Sequence, residues 1–210
     1  MNATQIKHQE SAAKDRVDKT AESLKSRGFK PIVVNTRAEA LETIRNLIPK
    51  GASIMNGASV TLEQIGFIDL LKNGRHEWNN LHATVLAEPD PAKQALLRRQ
   101  SVVSDFYLGS VHALSLTGEM IIASNSGSQL PHLAFTSPNI ILVVGIQKIV
   151  PTLEQAFERL EKHVVPLEDK RMKAAYGFGT SHAKTLILHR ENPAIGRNVH
   201  VIIVNENLGF

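Results

Sequence analysis

The polar residues that follow a predicted strand at 52–55 are the first candidates for chemistry in this sequence. Asn56, Gly57, Ser59 and Thr61 lie within six residues of one another, and a helical pattern begins directly after them. A loop that joins a strand to a helix presents free backbone N–H groups and the positive end of a helix dipole, which both favour anions. We predict that this loop binds a carboxylate or phosphate; the alternative is that Ser59 only caps the helix.

A second loop of small polar residues spans 125–129 and follows a predicted strand at 120–124. Ser126, Gly127 and Gln129 could wrap a ligand and present backbone donors to it. The alternative is an ordinary surface connection. We predict that these three residues contribute to the same ligand site.

Two charged residues complete the candidate site. Glu119 follows a Thr117–Gly118 turn, and its carboxylate could act as a general base or nucleophile, although such turns often carry a solvated glutamate. Lys148 follows an apolar strand at 140–146 and could neutralise a bound anion; the alternative is a surface lysine beside a helix cap. We predict that Glu119 is catalytic and that Lys148 binds the ligand.

Metal and cofactor signatures are missing from the sequence. It contains nine histidines and no cysteine. The histidines form no pair at one-turn helical spacing, so we predict no metal site and consider His112 and His132 the first to inspect. The sequence has no P-loop, dinucleotide-binding glycine motif or serine elbow, and it identifies no cofactor.

Charge and hydropathy argue against nucleic-acid and membrane partners. Residues 1–30 hold seven Lys/Arg and four Asp/Glu, and the remainder of the chain is nearly balanced. The ten aromatic residues are scattered rather than interleaved with basic clusters, so we predict no nucleic-acid binding. No apolar run is long enough to cross a bilayer, and the N-terminus lacks the apolar core of a signal peptide. We expect a cytoplasmic protein.

The spacing of apolar residues predicts an α/β protein preceded by a helix. Ala13, Val17, Ala21 and Leu24 predict an amphipathic helix within residues 1–28, which docks on the body of the protein or on a partner subunit. The body, residues 29–210, begins with a strand, a helix and a second, parallel strand. The strand at 140–146 is apolar without alternation, as expected for a strand that is buried on both faces.

Other elements follow from local patterns. We predict a helix at 62–71, a short edge strand at 83–86, a helix at 91–103, a helix at 152–164 that Pro166 ends, and a hairpin of strands 185–189 and 199–204.

Several of these stretches together resemble the LUD domain, the lactate-utilisation family formerly described as a domain of unknown function. The resemblance lies in residues 58–66, 110–119, 138–151 with the helix through Ala156 and Arg159, and 196–209. It implies a three-layer αβα fold, similar to ribose-phosphate isomerases, CoA transferases and formyltetrahydrofolate cyclo-ligase, with a mainly parallel sheet and antiparallel hairpins. Family members usually have an arginine where this chain has Gln129.

The resemblance also implies a function. Members near this chain are associated with bacterial oxidation of L-lactate to pyruvate, together with iron–sulfur oxidoreductase subunits. We therefore predict a lactate-utilisation-type protein that binds a small anionic metabolite, as a non-redox subunit and possible homo-oligomer. The alternative is an isomerase or acyl/CoA-transfer-type enzyme acting on a small phosphorylated or carboxylate metabolite, with Glu119 as base or nucleophile. A third hypothesis is an interaction module that docks through its N-terminal helix.

Overall fold

The structure, a computed structural model, describes the backbone of residues 3–210 and the side chains of residues 14–210. In this part of the chain the strands are β1 (Lys30–Val34), β2 (Ser53–Asn56), β3 (Asn79–Asn80), β4 (Phe106–Ser110), β5 (Ala113–Ser115), β6 (Met120–Ser124), β7 (Asn139–Gly145), β8 (Ile149–Val150), β9 (Lys184–Leu188) and β10 (Asn198–Val204). The α-helices are α1 (Ala3–Ser26), α2 (Arg37–Leu47), α3 (Val60–Gln64), α4 (Phe67–Lys72), α5 (Leu81–Ala87), α6 (Pro91–Gln100), α7 (Leu153–Arg159) and α8 (Val165–Tyr176).

A parallel sheet with the strand order β1-β10-β7-β4-β2-β3 forms the centre of the fold. Its central strands β7 and β10 are almost completely buried, and Ile141, Leu142 and Val143 have no exposed surface. Continuous apolar sequence is required here because helices or a second sheet cover both faces. Since all six strands run parallel, their carboxyl ends lie at one edge.

The layers on either side of this sheet differ in composition. Helices α2, α3 and α4 cover one face through residues such as Ile44, Leu62 and Phe67. The other face packs against α1 and a second sheet with the order β8-β5-β6-β9. The outer face of that second sheet is covered by Ala156 of α7 and by Leu160, which directly follows α7. The predicted three-layer α/β fold, mainly parallel with an antiparallel hairpin, is confirmed.

Capping residues explain several helix starts. The Thr36 hydroxyl accepts a hydrogen bond from the Glu39 N–H at 3.2 Å, and the Glu39 carboxylate accepts one from the Asn35 N–H at 2.8 Å. Thr152 caps α7 in the same way by accepting from the Gln155 N–H. Gly66, with a φ of 83°, divides the helix predicted at 62–71 into α3 and α4.

The described part of α1 packs on the body of the protein. Val17, Leu24 and the following Phe29 belong to the core between the two sheets. The side chain of Ala13 lies outside the described residues. Within residues 3–210 no helix combines the length and apolar character needed to cross a membrane.

Two strand predictions were wrong. Residues 83–86 lie in α5, because the Asn80 side chain accepts a hydrogen bond from the Ala83 N–H at 3.1 Å and starts a helix there. The predicted hairpin of 185–189 with 199–204 does not form: β9 pairs with β6, whereas β10 lies between β1 and β7. The four residues Val201–Val204 are buried, which suits an interior strand of a parallel sheet and not a hairpin arm.

Pro166 does not end the helix at 152–164. A π-helical turn at Leu160–Val164 follows α7, and Pro166 lies in the first turn of α8. Proline fits this position because it has no backbone N–H, and the N–H groups in the first turn of a helix have no partner within the helix.

Candidate functional site

The side chain of Lys148 is buried where the two sheets meet. Strand β7 ends at Gly145, one 3₁₀ turn spans Ile146–Lys148, and β8 of the second sheet begins at the next residue. Because both sheets are fixed on either side of this turn, Lys148 points inward and only 4% of it is exposed. It is therefore not the surface lysine that was the alternative to a ligand-binding role.

Three uncharged oxygen atoms surround the Lys148 ammonium group. Its Nζ donates to Thr61 Oγ1 at 2.9 Å, to Ser110 Oγ at 3.0 Å and to the Val111 carbonyl at 3.2 Å. Ser110 Oγ itself donates to the Val143 carbonyl at 2.7 Å, so it can accept from the lysine. The contacts use all three N–H bonds of a protonated amine.

No carboxylate neutralises this ammonium group within the described side chains, 14–210. A nearby charge has the same sign: the half-buried Arg159 guanidinium, whose Nη1 donates to the His112 carbonyl at 2.9 Å. Burial, and then the charge of Arg159, lower the pKa of Lys148 to about 7. Buried charges are normally paired, so two adjacent cations without a counter-charge indicate a place for an anion.

A C-terminal segment, residues 205–210, covers the lysine. The Gln147 side chain donates to the Leu208 carbonyl at 2.7 Å and accepts from the Leu208 N–H at 3.1 Å. The Gly209 N–H donates to Gln64 Oε1 at 2.7 Å. A Cβ on Gly209 would lie 2.2 Å from Thr61 Oγ1 and 2.9 Å from Lys148 Nζ, and its φ is +72°, so the site requires glycine there.

The two predicted loops meet at a second contact. Tyr107 of β4 donates from its hydroxyl to Gln129 Oε1 at 3.2 Å, and Gln129 Nε2 donates to the Ala123 carbonyl at 2.9 Å. A Cβ on Gly57 would lie 2.6 Å from the Tyr107 hydroxyl and 3.2 Å from Gln129 Oε1. Burial raises the pKa of Tyr107, so this hydroxyl stays protonated and acts as a donor.

The other predicted ligand-binding residues have mostly local contacts. Ser59 caps α3 by accepting from the Leu62 N–H at 3.3 Å. Ser126 accepts from the Ser128 N–H at 3.3 Å, and the Gly127 N–H donates to Ser124 at 2.9 Å. The exception is Asn56, which is 4% exposed and whose Oδ1 has no hydrogen-bond partner among the described residues.

Glu119 lies in a separate ionic contact with the end of α1. Its carboxylate pairs with Arg27 at 2.5 Å and accepts from the hydroxyls of Ser115 and Thr117, each at 2.5 Å. Burial acts to raise the pKa of Glu119, but the two hydroxyl hydrogen bonds and the charge of Arg27 outweigh it and lower the pKa. Its catalytic role remains a prediction; the contacts observed here attach α1 to the β5–β6 turn.

The two histidines selected for inspection are both largely buried and lack a metal-binding arrangement. Burial, followed by the charges of Lys148 and Arg159, lowers the pKa of His112 to about 4, and burial lowers that of His132 to about 4. Within residues 14–210, no group of three or more His, Asp or Glu side chains could hold a metal ion.

Of the predicted ligand-binding residues, the structure therefore places Thr61 in contact with Lys148, and Gly57 close to Gln129. The sequence analysis missed Ser110, Gln147, Arg159 and Gly209 as members of the lysine site. Ser110 could have been found by applying to β4 the strand-end rule that identified the residues after β2. The same rule applied to β7 identifies Gln147, whereas no local signal identifies Arg159 or Gly209, because their contacts depend on how distant segments pack.

Comparisons with known proteins agree with this architecture. The sequence model of the LUD domain matches residues 17–204, so the chain belongs to the LUD-domain family, which is associated with lactate utilisation. The crystal structure at 1.70 Å resolution of a DUF162-family protein from Deinococcus radiodurans is similar, with a TM-score of 0.58 and 14% identity. That match covers 92% of this chain and 98% of the other, and it shows a shared fold. No curated protein matches the chain.

The Glu119 contact predicts a stability effect. Replacing Glu119 with Gln removes its charge beside Arg27, and we expect a loss of about 1–3 kcal/mol in the free energy of unfolding. Urea denaturation at neutral pH measures it, with Glu158→Gln as the control, since Glu158 pairs with Lys162 on the exposed surface. Equal effects of the two substitutions would contradict a structural role for Glu119.

The close approach of Gly209 predicts a second effect. Gly209→Ala should destabilise the protein more than Gly196→Ala, because both glycines have positive φ but nothing lies within 4 Å of a Cβ at Gly196. We expect a difference of about 1–3 kcal/mol in the free energy of unfolding. Thermal and urea unfolding of both variants measure it, and matching values would show that residues 205–210 do not pack against Lys148.

Proposed function

We propose that this protein binds a small carboxylate at Lys148 and acts as a non-redox, ligand-binding subunit in the oxidation of L-lactate to pyruvate. The observation that carries the proposal is the buried Lys148 ammonium group without a counter-charge. Membership of the LUD-domain family supports the metabolic context.

The surroundings of Lys148 suit a carboxylate. A bound carboxylate would supply the counter-charge that is missing beside Lys148 and Arg159. The hydroxyls of Thr61 and Ser110 can turn to donate hydrogen bonds to its oxygen atoms. The Lys148 ammonium group is enclosed by Thr61, Ser110 and Val111, which favours a small ligand. L-lactate and pyruvate both combine a carboxylate with a second oxygen on the adjacent carbon, which is the kind of ligand that such a set of donors recognises.

Ligand access requires movement of residues 205–210. The start of this segment is anchored by backbone hydrogen bonds of Asn205 and Glu206 to Val34 and Ile146, by an ion pair between Glu206 and Arg37, and by the buried Leu208 side chain. The amide groups of Gln64 and Gln147 hold the remainder of the segment over Lys148. A ligand carboxylate can replace these contacts when the segment moves. The neighbouring Gly57–Gln129 contact keeps the two loops together, and the unpaired Oδ1 of Asn56 could accept a hydrogen bond from the ligand hydroxyl.

The redox step of lactate oxidation requires a partner in this proposal. The 210 residues contain no cysteine, so a cysteine-ligated iron–sulfur centre would belong to another subunit. The isomerase or acyl-transfer alternative requires an available carboxylate at Glu119, and the contacts of Glu119 do not favour it.

Direct binding measurements test the proposal. Isothermal titration calorimetry with L-lactate, pyruvate and inorganic phosphate should show carboxylate binding that Lys148→Met weakens by at least about tenfold, as expected for loss of a buried charged contact. Lys162→Met serves as the control, because Lys162 is an exposed lysine on a different surface. Equal carboxylate affinity of Lys148→Met and the unaltered protein would refute the proposal.

The pKa of Lys148 predicts how binding depends on pH. The ligand carboxylate binds the protonated, ammonium form of Lys148, and the pKa of Lys148 in the free protein is about 7. Affinity should therefore be greatest below pH 7 and fall by up to about tenfold per pH unit above it, until the pKa of the liganded state is reached. Calorimetry from pH 6 to pH 9 measures this decrease; a flat profile would contradict it.

The same pKa predicts how stability depends on pH in the free protein. The pKa of Lys148 is about 7 in the folded state and 10.5 when unperturbed, so between these values the unfolded state binds the additional proton. The contribution of Lys148 to the free energy of unfolding therefore rises with pH in this window, by up to about 1.4 kcal/mol per pH unit. Urea denaturation across the window should show a component that Lys148→Met abolishes; identical pH profiles would contradict it.

A further inference from the structure

Helix α6 is poorly packed in the described structure. None of its ten residues is buried, and only Gln94 and Leu97 are half-buried. A helix of this length is marginal in water without packing against other elements. The caps are favourable, since Asp90 accepts from the N–H groups of Ala92 and Lys93, but caps alone do not usually stabilise so short a helix.

Large apolar side chains are exposed on and around this helix. Leu96 is 48% exposed, Val103 in the turn after the helix is 72% exposed, and Phe135 in the turn packed beside it is 76% exposed. A groove of about 310 Å³ runs along the helix between Ala95 and Pro131. We call the surface formed by α6, Val103 and Phe135 the α6 face. Apolar surface that is exposed in the free chain is available to an interaction partner.

Charges along α6 identify what this face binds. Glu88, which ends α5, and Asp90, which caps α6, lie just before the helix, and Arg98 and Arg99 lie in its last turn. Neither arginine forms an ion pair within residues 14–210. Asp90 and Arg98 are separated by about 12 Å along the helix axis, because an α-helix rises 1.5 Å per residue.

We propose that the α6 face binds the same face of a second copy of this chain, forming a two-fold symmetric dimer. In an antiparallel pair of α6 helices, Arg98 and Arg99 of each copy lie beside Glu88 and Asp90 of the other. Ala95, near the middle of the helix, is small enough to allow close approach at the symmetry axis. The face is thus complementary to itself in charge. Leu96, Val103 and Phe135 supply the apolar area that such an interface buries.

Charge reversal tests this arrangement. Sedimentation equilibrium of the full chain should show a concentration-dependent dimer. Arg98→Glu and Glu88→Arg should each raise the dimer dissociation constant by at least about tenfold, because each places like charges together at both ends of the interface. Combining Arg98→Glu with Glu88→Arg in one chain should restore dimerisation, because the ion pair between positions 98 and 88 of the two copies then forms again with its charges exchanged.

Controls separate this interface from other effects. Arg45→Glu, an exposed charge reversal on α2, should leave the dissociation constant unchanged. Circular dichroism and melting temperature confirm that each variant folds. An unaltered protein that is monomeric at every concentration would overturn the proposal and leave the α6 face for a different protein. A dimer insensitive to the α6 substitutions, or a combined variant as dissociated as the single ones, would also overturn it.

Discussion

The buried ammonium group of Lys148 is the constraint on which the candidate site depends. It lies at the junction of two sheets, where uncharged oxygens of Thr61, Ser110 and Val111 accept its hydrogen bonds and no carboxylate balances its charge within residues 14–210. Placing a cation there costs stability, and its pKa of about 7 reflects that cost. Proteins usually remove such a charge or pair it, so its presence is explained if an anion supplies the missing partner.

The topology explains why the lysine cannot reach solvent. A single turn connects β7, at the centre of the parallel sheet, to β8 in the second sheet, so the residue before β8 is held between them. Residues that follow β2 and β4 come to the same edge because their strands are parallel neighbours. Residues 205–210, which follow β10, return across this edge and cover the lysine. Most contributors to the site thus follow the carboxyl end of a strand, as is usual for ligand sites in α/β sheets, whereas Arg159 comes from α7.

Local patterns were sufficient for the parts of the fold that depend on neighbouring residues. The apolar run at 140–146 indicated a central strand, local patterns located helices at 91–103 and 152–164, and Thr117–Gly118 marked the turn before the strand at 120–124. Pairing of distant strands could not be predicted in this way: β10 is an interior strand only because β1 and β7 enclose it. The site shows the same limit. Lys148 and Thr61 were selected by position, but the burial of Lys148 depends on packing between segments 87 residues apart in sequence.

The surroundings of Glu119 could not be predicted from its neighbours in the sequence, because its partner Arg27 lies 92 residues earlier in the chain. The central claim concerns Lys148, and its titration by NMR, with ¹⁵N-labelled lysine, tests that claim most directly. The account predicts a pKa near 7 in the free protein and a higher pKa when pyruvate is bound. A pKa near 10.5 that pyruvate does not change would contradict it.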